Sequence, residues 1–338
     1  MGRTPSAEQQ TAVRALKNTI LVSSEYKLEW MEDPWEDVAE AGEWLLELED
    51  QVCPDIIHLN GYAHGDLPWK APVVMVAHSC VYSWFDAVKG HRPADGWRVY
   101  RQNVIKGISA ADCIVAPSSA MLRALRKHYG DLPNSTVIYN GISPAPLAEG
   151  VKKEPLILSA GRVWDAAKNI ELLARCADSL SWPVYVAGET QRPGGHGVPP
   201  SLRSVRYLGP LARKRLMRWF QRAAIFALPA RYEPFGLSAL EAARSGCALV
   251  LGDIPSLREI WDGAACFVSP DDHRRLQDTL EQLSGDETVR SGLAVRGRKR
   301  ATQLTSERMV WRYLLLYERI CQSHVSDTAV SARQGIPA

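Results

Sequence analysis

The chain has 338 residues, 46% hydrophobic and 23% charged, an ordinary globular composition that excludes wholesale disorder and suffices for two domains with cores of their own. Its net charge of +2 at pH 7 leaves no global basic field with which to collect phosphates, so nucleic acid is excluded as a main partner.

The opening "MGRTPSAEQQ" has no hydrophobic h-region, so no signal peptide is expected. A short helical pattern, "AEQQTAVRALK", leads to "TILVSS" from Thr19, a β-branched run expected to be a strand. In "DPWEDVAEAGEWLLELEDQV", Asp33 suits an N-cap, Pro34 the first helical position, and the apolar residues recur at helical spacing. Four further strands are expected in the first half: "DIIHL" from Asp55, "PVVMVAH" from Pro72, "CIVAP" from Cys113 and "TVIYN" from Thr136. The stretch "ISPAPLAEGVKKEP", from Ile142 to Pro155, then breaks the pattern as an interdomain linker would. Six more strands follow, "PLILSAG", "PVYVAG", "VRYLG", "AIFALP", "ALVLG" and "ACFVS", with helical patterns between them. After Ser284 come two helices, the second being "SERMVWRYLLLYERI", and a polar tail expected to be loose.

This alternation predicts two consecutive doubly wound α/β domains with a cleft between them, ligands meeting the carboxyl ends of the strands. The first domain starts late. Only 18 residues precede "TILVSS", too few for a central strand, a glycine turn, a helix and a further strand. The seven cysteines are scattered and never form a C-x-x-C pair, which points to structural thiols in a reducing compartment. No apolar run reaches the roughly 18 residues of a membrane span, so the expected location is the cytoplasm. The basic run "LARKRLMRWFQRA" would suit the inner face of an anionic membrane as a peripheral contact. The favoured reading instead packs Leu216, Trp219 and Phe220 inward and leaves Arg213, Lys214, Arg218 and Arg222 in water.

Two strand ends carry residues suited to chemistry. In "LILSAGRVWDAAKNIELLARC", Gly161 and Arg162 follow a strand and Lys168 and Asn169 open a helix; a guanidinium fork and an ammonium there suit a phosphate group. Taken alone, that segment is explained equally well as a solvated loop. In "AIFALPARYEPFGLSALEAARSG", a strand runs through a loop into a helix beginning near Gly236, Leu237 and Ser238. A helix start offers free N–H groups to an anion, and glycine allows close approach. Glu233 then lies ahead of the helix and Glu241 about one turn inside it, where carboxylates accept hydrogen bonds from sugar hydroxyls. "RPGGHGVPP", Arg192 to Pro200, leads into prolines and is no dinucleotide fingerprint.

"EPFGLSALE" resembles the E-x7-E motif of retaining GT-B glycosyltransferases of the family 4 type, and "SAGRVWDAAKNI" is similar to that family's glycine, arginine and lysine segment. "VAHSC", "ADCIVAPSSAM", "VIYNGI" and "GCALVLGDIPSLREI" resemble further segments in the family's order, so the likeness covers roughly Thr19 to Ile320. The resemblance implies a GT-B fold: residues 1–147 as an acceptor-side Rossmann-like domain, 148–304 as a nucleotide-sugar domain, 305–322 as a helix packing back on the first domain, and 323–338 as a tail. It implies a nucleotide-diphosphate sugar donor, a carbohydrate, lipid-linked or small-molecule acceptor, retention of anomeric configuration, and no cofactor or metal; no D-x-D pair occurs. Arg162 and Lys168 would neutralise the leaving diphosphate, and Gly161 would flank them. Glu233 would hold the transferred sugar, the backbone at Phe235, Gly236 and Leu237 would touch phosphate and sugar, and Glu241 would take the ribose hydroxyls. His78 would stand across the cleft, with Asn60 and Tyr62 on the acceptor wall.

The family's first strand and Gly-rich turn have no counterpart here. Either the reading frame starts upstream, the favoured expectation, or the form is shortened and catalytically impaired, retaining only nucleotide or partner binding. A nucleotide-sugar epimerase on the same scaffold is the other enzymatic alternative.

Overall fold

The computed structural model describes residues 2, 4–143, 152–192 and 202–334, with side chains to 324. Most of the expected linker and of the glycine-rich "RPGGHGVPP" segment lies outside the described residues.

The first half contains α1 (Ala7–Arg14), α2 (Trp35–Val52), β1 (Ile57–Leu59), β2 (Val73–Val76), α3 (Val81–Lys89), α4 (Arg98–Ala110), β3 (Cys113–Ala116), α5 (Ser119–Tyr129) and β4 (Ser135–Val137). Its four strands form a parallel sheet in sequential order, β1-β2-β3-β4. Strands β2 and β3 are buried throughout, which is why they read as unbroken apolar runs. Helix α5 shows why its sequence folds locally. Ser118 caps it by accepting from Met121 N, Arg126, Lys127 and His128 occupy its last turn, and Met121, Leu122 and Leu125 form its buried stripe.

Two secondary-structure expectations fail in this half. "TILVSS" is not a strand: Ile20 is 87% exposed, and Leu21 and Val22 are exposed as well. A β-branched run becomes a strand only beside a partner, and among the described residues β1 pairs with β2 alone. Asp33 is not the cap of α2. It takes a left-handed φ of 44°, and Pro34 occupies the cap position.

The second half contains β5 (Glu154–Ala160), α6 (Ile170–Ala177), β6 (Val184–Ala187), β7 (Arg206–Gly209), α7 (Arg213–Arg222), β8 (Ala223–Leu228), α8 (Leu237–Arg244), β9 (Ala248–Gly252), α9 (Pro255–Trp261), β10 (Cys266–Val268), α10 (His273–Gly285) and α11 (Glu287–Ala301). Its six strands are parallel, in the order β10-β9-β8-β5-β6-β7. Apolar cores fill both faces, with Trp261, Phe220 and Phe226 on one and Ile170, Leu172 and Leu173 on the other. In α7, Phe220 is buried and Leu216 and Trp219 pack beside it. Arg222 stays in water as expected, its side chain 42% exposed, and there makes a bidentate pair with Glu154 at 2.6 and 2.8 Å.

Helix α12 (Ser306–Gln334) continues past residue 322, where a tail was expected. It lies against the first sheet, Leu316 and Ile320 packing on Val74, Val76, Cys113 and Val115. Each such aliphatic side chain, taken out of water, contributes about 1.5–3 kcal/mol to holding the halves together. All seven cysteines are free; Cys53 is exposed at the end of α2, contrary to its reading as a structural thiol.

Candidate active site

The order of the second sheet decides where its site falls. The chain leaves β5 toward β6 and β7 on one side and returns to β8 on the other, so the loops after the adjacent strands β5 and β8 meet at the point where the sheet changes direction. Arg231 N donates to Ala167 O at 2.8 Å across that junction. Lys168, on the turn after β5, and Glu233, on the loop after β8, form an ion pair at 2.5 Å with side chains 11% and 14% exposed. Glu233 also accepts from Gly236 N at 2.9 Å, and its carbonyl accepts from Ser256 Oγ at 2.5 Å.

Gly236 is the N-cap of α8, where the sequence placed the helix start. Its φ of 90° lies in the left-handed region, and a Cβ there would stand 3.1 Å from Leu257 Cδ2. Glycine brings no capping side chain, so the first-turn N–H groups of α8 remain available to an anion. Phe235 is buried beneath this turn, whereas Leu237 is 47% exposed. Glu241 sits on α8, 3.9 Å from Arg213 of α7, and its enclosure raises its pKa. Glu233 and Glu241 thus have separate cationic partners.

The other cation, Arg162, pairs with Asp165 at 3.0 Å and stacks over Trp164 with its guanidinium carbon 5.4 Å from the ring centre. Gly161 opens this loop and is overlaid by Gly188, where a Cβ would collide with the Gly161 carbonyl.

From the first half, the loops after β1 and β2 supply the facing wall. His78 Nε2 lies 2.7 Å from Asn60 Oδ1, and the Tyr62 hydroxyl donates to Ser79 O at 2.9 Å. Enclosure in the cleft, with the neighbouring His58, holds the His78 pKa below the usual imidazole range. A cavity of about 410 Å³ lies between the halves and brings together His78, Asn60, Tyr62 and Arg162 among the expected site residues. Lys168, Glu233, Phe235, Gly236, Leu237, Glu241 and Gly161 are not among its lining residues. The Lys168–Glu233 pair is instead packed into the loop junction beside it.

Several residues that line the cavity or join the two halves carry no sequence signal. Glu29 lines the cavity and accepts from Tyr62 N and Ala63 N, the latter at 2.6 Å; burial raises its pKa. Tyr232 precedes Glu233, and its hydroxyl reaches Ser79 Oγ at 3.2 Å and Cys80 N at 3.3 Å in the first half. The Ser118 hydroxyl donates to Pro234 O at 2.7 Å. Glu259 of α9 accepts from Ser119 N, Ala120 N and the Tyr139 hydroxyl at 2.7, 2.8 and 2.9 Å, so a carboxylate of one half caps a helix of the other. Trp84 of α3 donates from Nε1 to Asp165 at 2.9 Å across the cleft.

Among the described residues no helix is long and apolar enough to cross a membrane. No group of three or more His, Cys, Asp or Glu among them could hold a metal ion.

The sequence matches the family "Glycosyltransferase Family 4" over residues 5–145 and "Glycosyl transferases group 1" over residues 154–286. It is 27% identical over 286 residues to the D-inositol 3-phosphate glycosyltransferase of Xylanimonas cellulosilytica, which covers 72% of this chain and 67% of that protein. The fold is similar to that of sucrose-phosphate synthase from Thermosynechococcus elongatus, with a TM-score of 0.74 at 18% identity, covering 86% of this chain and 80% of that one. A glycosyltransferase from Rickettsia africae gives a TM-score of 0.62 at 15% identity, over 89% of this chain and 84% of that one. Two Rossmann-like domains facing a cleft, with family matches on both halves, identify the chain as a GT-B glycosyltransferase related to family 4.

Proposed function

We propose that the chain moves a sugar from a nucleotide-diphosphate donor to a hydroxyl acceptor with retention of anomeric configuration, the diphosphate leaving toward the second domain. The observation that carries this reading is the meeting of Lys168, Glu233 and the open start of α8 at the switch between β5 and β8. Departure of the nucleotide puts negative charge on a phosphate oxygen. Arg162, Lys168 and the N–H groups of α8 stabilise that charge as fixed donors, in the role a divalent cation takes in other transferases. Glu233, held by Lys168 and Gly236 N, receives hydroxyls of the transferred sugar, and Glu241 receives those of the ribose. His78 meets the sugar from the first domain, neutral at pH 7 because its pKa is lowered, with Asn60 and Tyr62 along the acceptor path.

Retention fits the carboxylates of the cavity wall. Both oxygens of Glu29 accept backbone N–H bonds, and those of Asp165 are taken by Trp84, Ala167 N and Arg162. Donors so placed lower the basicity of a carboxylate, which favours a route in which the acceptor proton goes to the departing diphosphate on the same face. The acceptor is a carbohydrate, a lipid-linked sugar or a small polyol; the likeness to an inositol-phosphate enzyme supports testing the last class first.

The experiment is nucleotide release from UDP- and GDP-sugars with and without an acceptor panel, with the product anomer read by NMR. Arg162→Ala, Lys168→Ala and Glu233→Ala are each expected to lose transfer by ~10²–10³. Wild-type rates in all three, or an inverted anomer, would overturn the reading, and sugar conversion without any acceptor would point to an epimerase.

A further inference from the structure

We propose that Asp165 is a positioning residue that sets both donor cations according to how the first domain is seated, sensing that seating through the indole N–H of Trp84. The inference rests on the donor-site reading of Arg162 and Lys168. Asp165 is 4% exposed, and a carboxylate so enclosed stays charged only when its oxygens are well paired.

Its partners come from three places. Oδ1 accepts from Trp84 Nε1 at 2.9 Å, from α3 across the cleft, and from Ala167 N at 3.0 Å. Oδ2 holds Arg162 at 3.0 Å. Asp165 is also the N-cap of the single 3-10 turn Ala166–Lys168, and its carbonyl accepts from Lys168 N at 2.9 Å. A shift of this one residue therefore moves the guanidinium and the turn bearing the ammonium together. Of these bonds, the one to Trp84 alone links it to the other domain, three residues beyond the start of α3 and close in sequence to His78. Indole is a donor without an acceptor, so this contact reports a single geometry. An N-cap alone would need Ala167 N and nothing from Trp84.

The test is calorimetric binding of UDP and of GDP to the full chain without acceptor, with melting temperature as the control for folding. Trp84→Phe keeps the ring and deletes the N–H; it is expected to weaken nucleotide-diphosphate binding about 10-fold, the scale of a hydrogen bond to a charged group, although Trp84 belongs to the acceptor half. Asp165→Asn keeps an oxygen for Trp84 and Ala167 but turns an amide toward Arg162, and is expected to weaken binding by at least as much. The double variant should cost less than the product of the two single effects. Unchanged affinity in Trp84→Phe, tighter binding in Asp165→Asn, or two effects that multiply independently would each overturn the inference. Where Arg162→Ala and Lys168→Ala still weaken binding, the donor reading survives that failure. If those two bind as the wild type does, or neither nucleotide binds the wild type, the donor reading falls and the inference with it.

Discussion

The two sheets of this molecule obey the same chemistry and differ in closure. In the second, strands extend to both sides of the β5–β8 pair, and the direction change creates a crevice. In the first, the strands run one way from β1, which has a neighbour on one side only among the described residues. The difference shows in what each half presents. The second half presents an enclosed ion pair, Lys168 with Glu233, inside a loop junction. The first half presents a wall of loop ends held partly by the other domain, through Tyr232, Pro234 and Glu259. A site on elements fixed by their own sheet tolerates little change, whereas one fixed by contacts across a cleft is exposed to whatever loosens the domains.

The largest expected effect lies in the second half. Lys168→Met leaves the Glu233 carboxylate enclosed without its cation, and breaking a buried pair in this way costs about 3–5 kcal/mol; the melting temperature should fall sharply together with transfer. Glu233→Gln strands the Lys168 ammonium in turn, because an amide oxygen kept on Gly236 N turns the amide nitrogen toward Lys168, so its stability should fall comparably. A loss of less than about 1 kcal/mol in both would show that the pair is not held out of water, and would remove the contrast between the halves.

Next in size is the latch between them. Glu259→Ala leaves Ser119 N, Ala120 N and the Tyr139 hydroxyl without their shared acceptor, a loss of about 1–3 kcal/mol. Chemical unfolding should record it. An unchanged midpoint would mean that the first domain does not lean on the second through this helix end.

A smaller effect should follow pH. His64 and His128 are buried in the first half, and burial lowers the pKa of both. The unfolded chain takes up protons on them near pH 6.5 while the folded chain does not. Stability is therefore full above about pH 6.5 and falls as the pH drops from there toward the lower values that the folded rings hold. Melting curves from pH 8 to pH 5 for the wild type and His64→Gln should converge on acidification. Parallel curves would show that His64 does not titrate against folding.

How much could be read beforehand follows the same division. The second half was legible because its strands are continuous apolar runs and its glycines stand at a strand end in "PLILSAG" and at a helix start in "EPFG"; the period and the punctuation agree there. The start of α8 at Gly236 and the nearness of the segments after β5 and β8 follow from those signals. What stayed hidden depends on contacts between residues far apart in sequence. Nothing in "PSLREI" marks Glu259 as a cap for α5, and nothing in "RVWDAAK" tells that Asp165 meets Trp84. The conformation of Asp33 was also beyond reach, since an Asp-Pro step suits an N-cap by every local rule.

"TILVSS" shows where local reading fails outright, and it supplies the weakest expected perturbation. Its composition is that of a buried strand, yet Ile20 is 87% exposed, so replacing it removes no packing. Ile20→Ser and Val22→Ser should each shift stability by no more than about 0.5 kcal/mol, as surface changes do. Val74, equally β-branched but fully buried in β2 beneath α12, should lose about 2 kcal/mol or more on truncation to alanine, from lost transfer energy and the cavity left behind. Denaturant midpoints of the three variants measure the contrast directly. A loss at Ile20 approaching that at Val74 would mean that in solution this stretch is covered, either by pairing along the free edge of β1 or by another surface, and the two sheets would then differ less than their strand orders suggest.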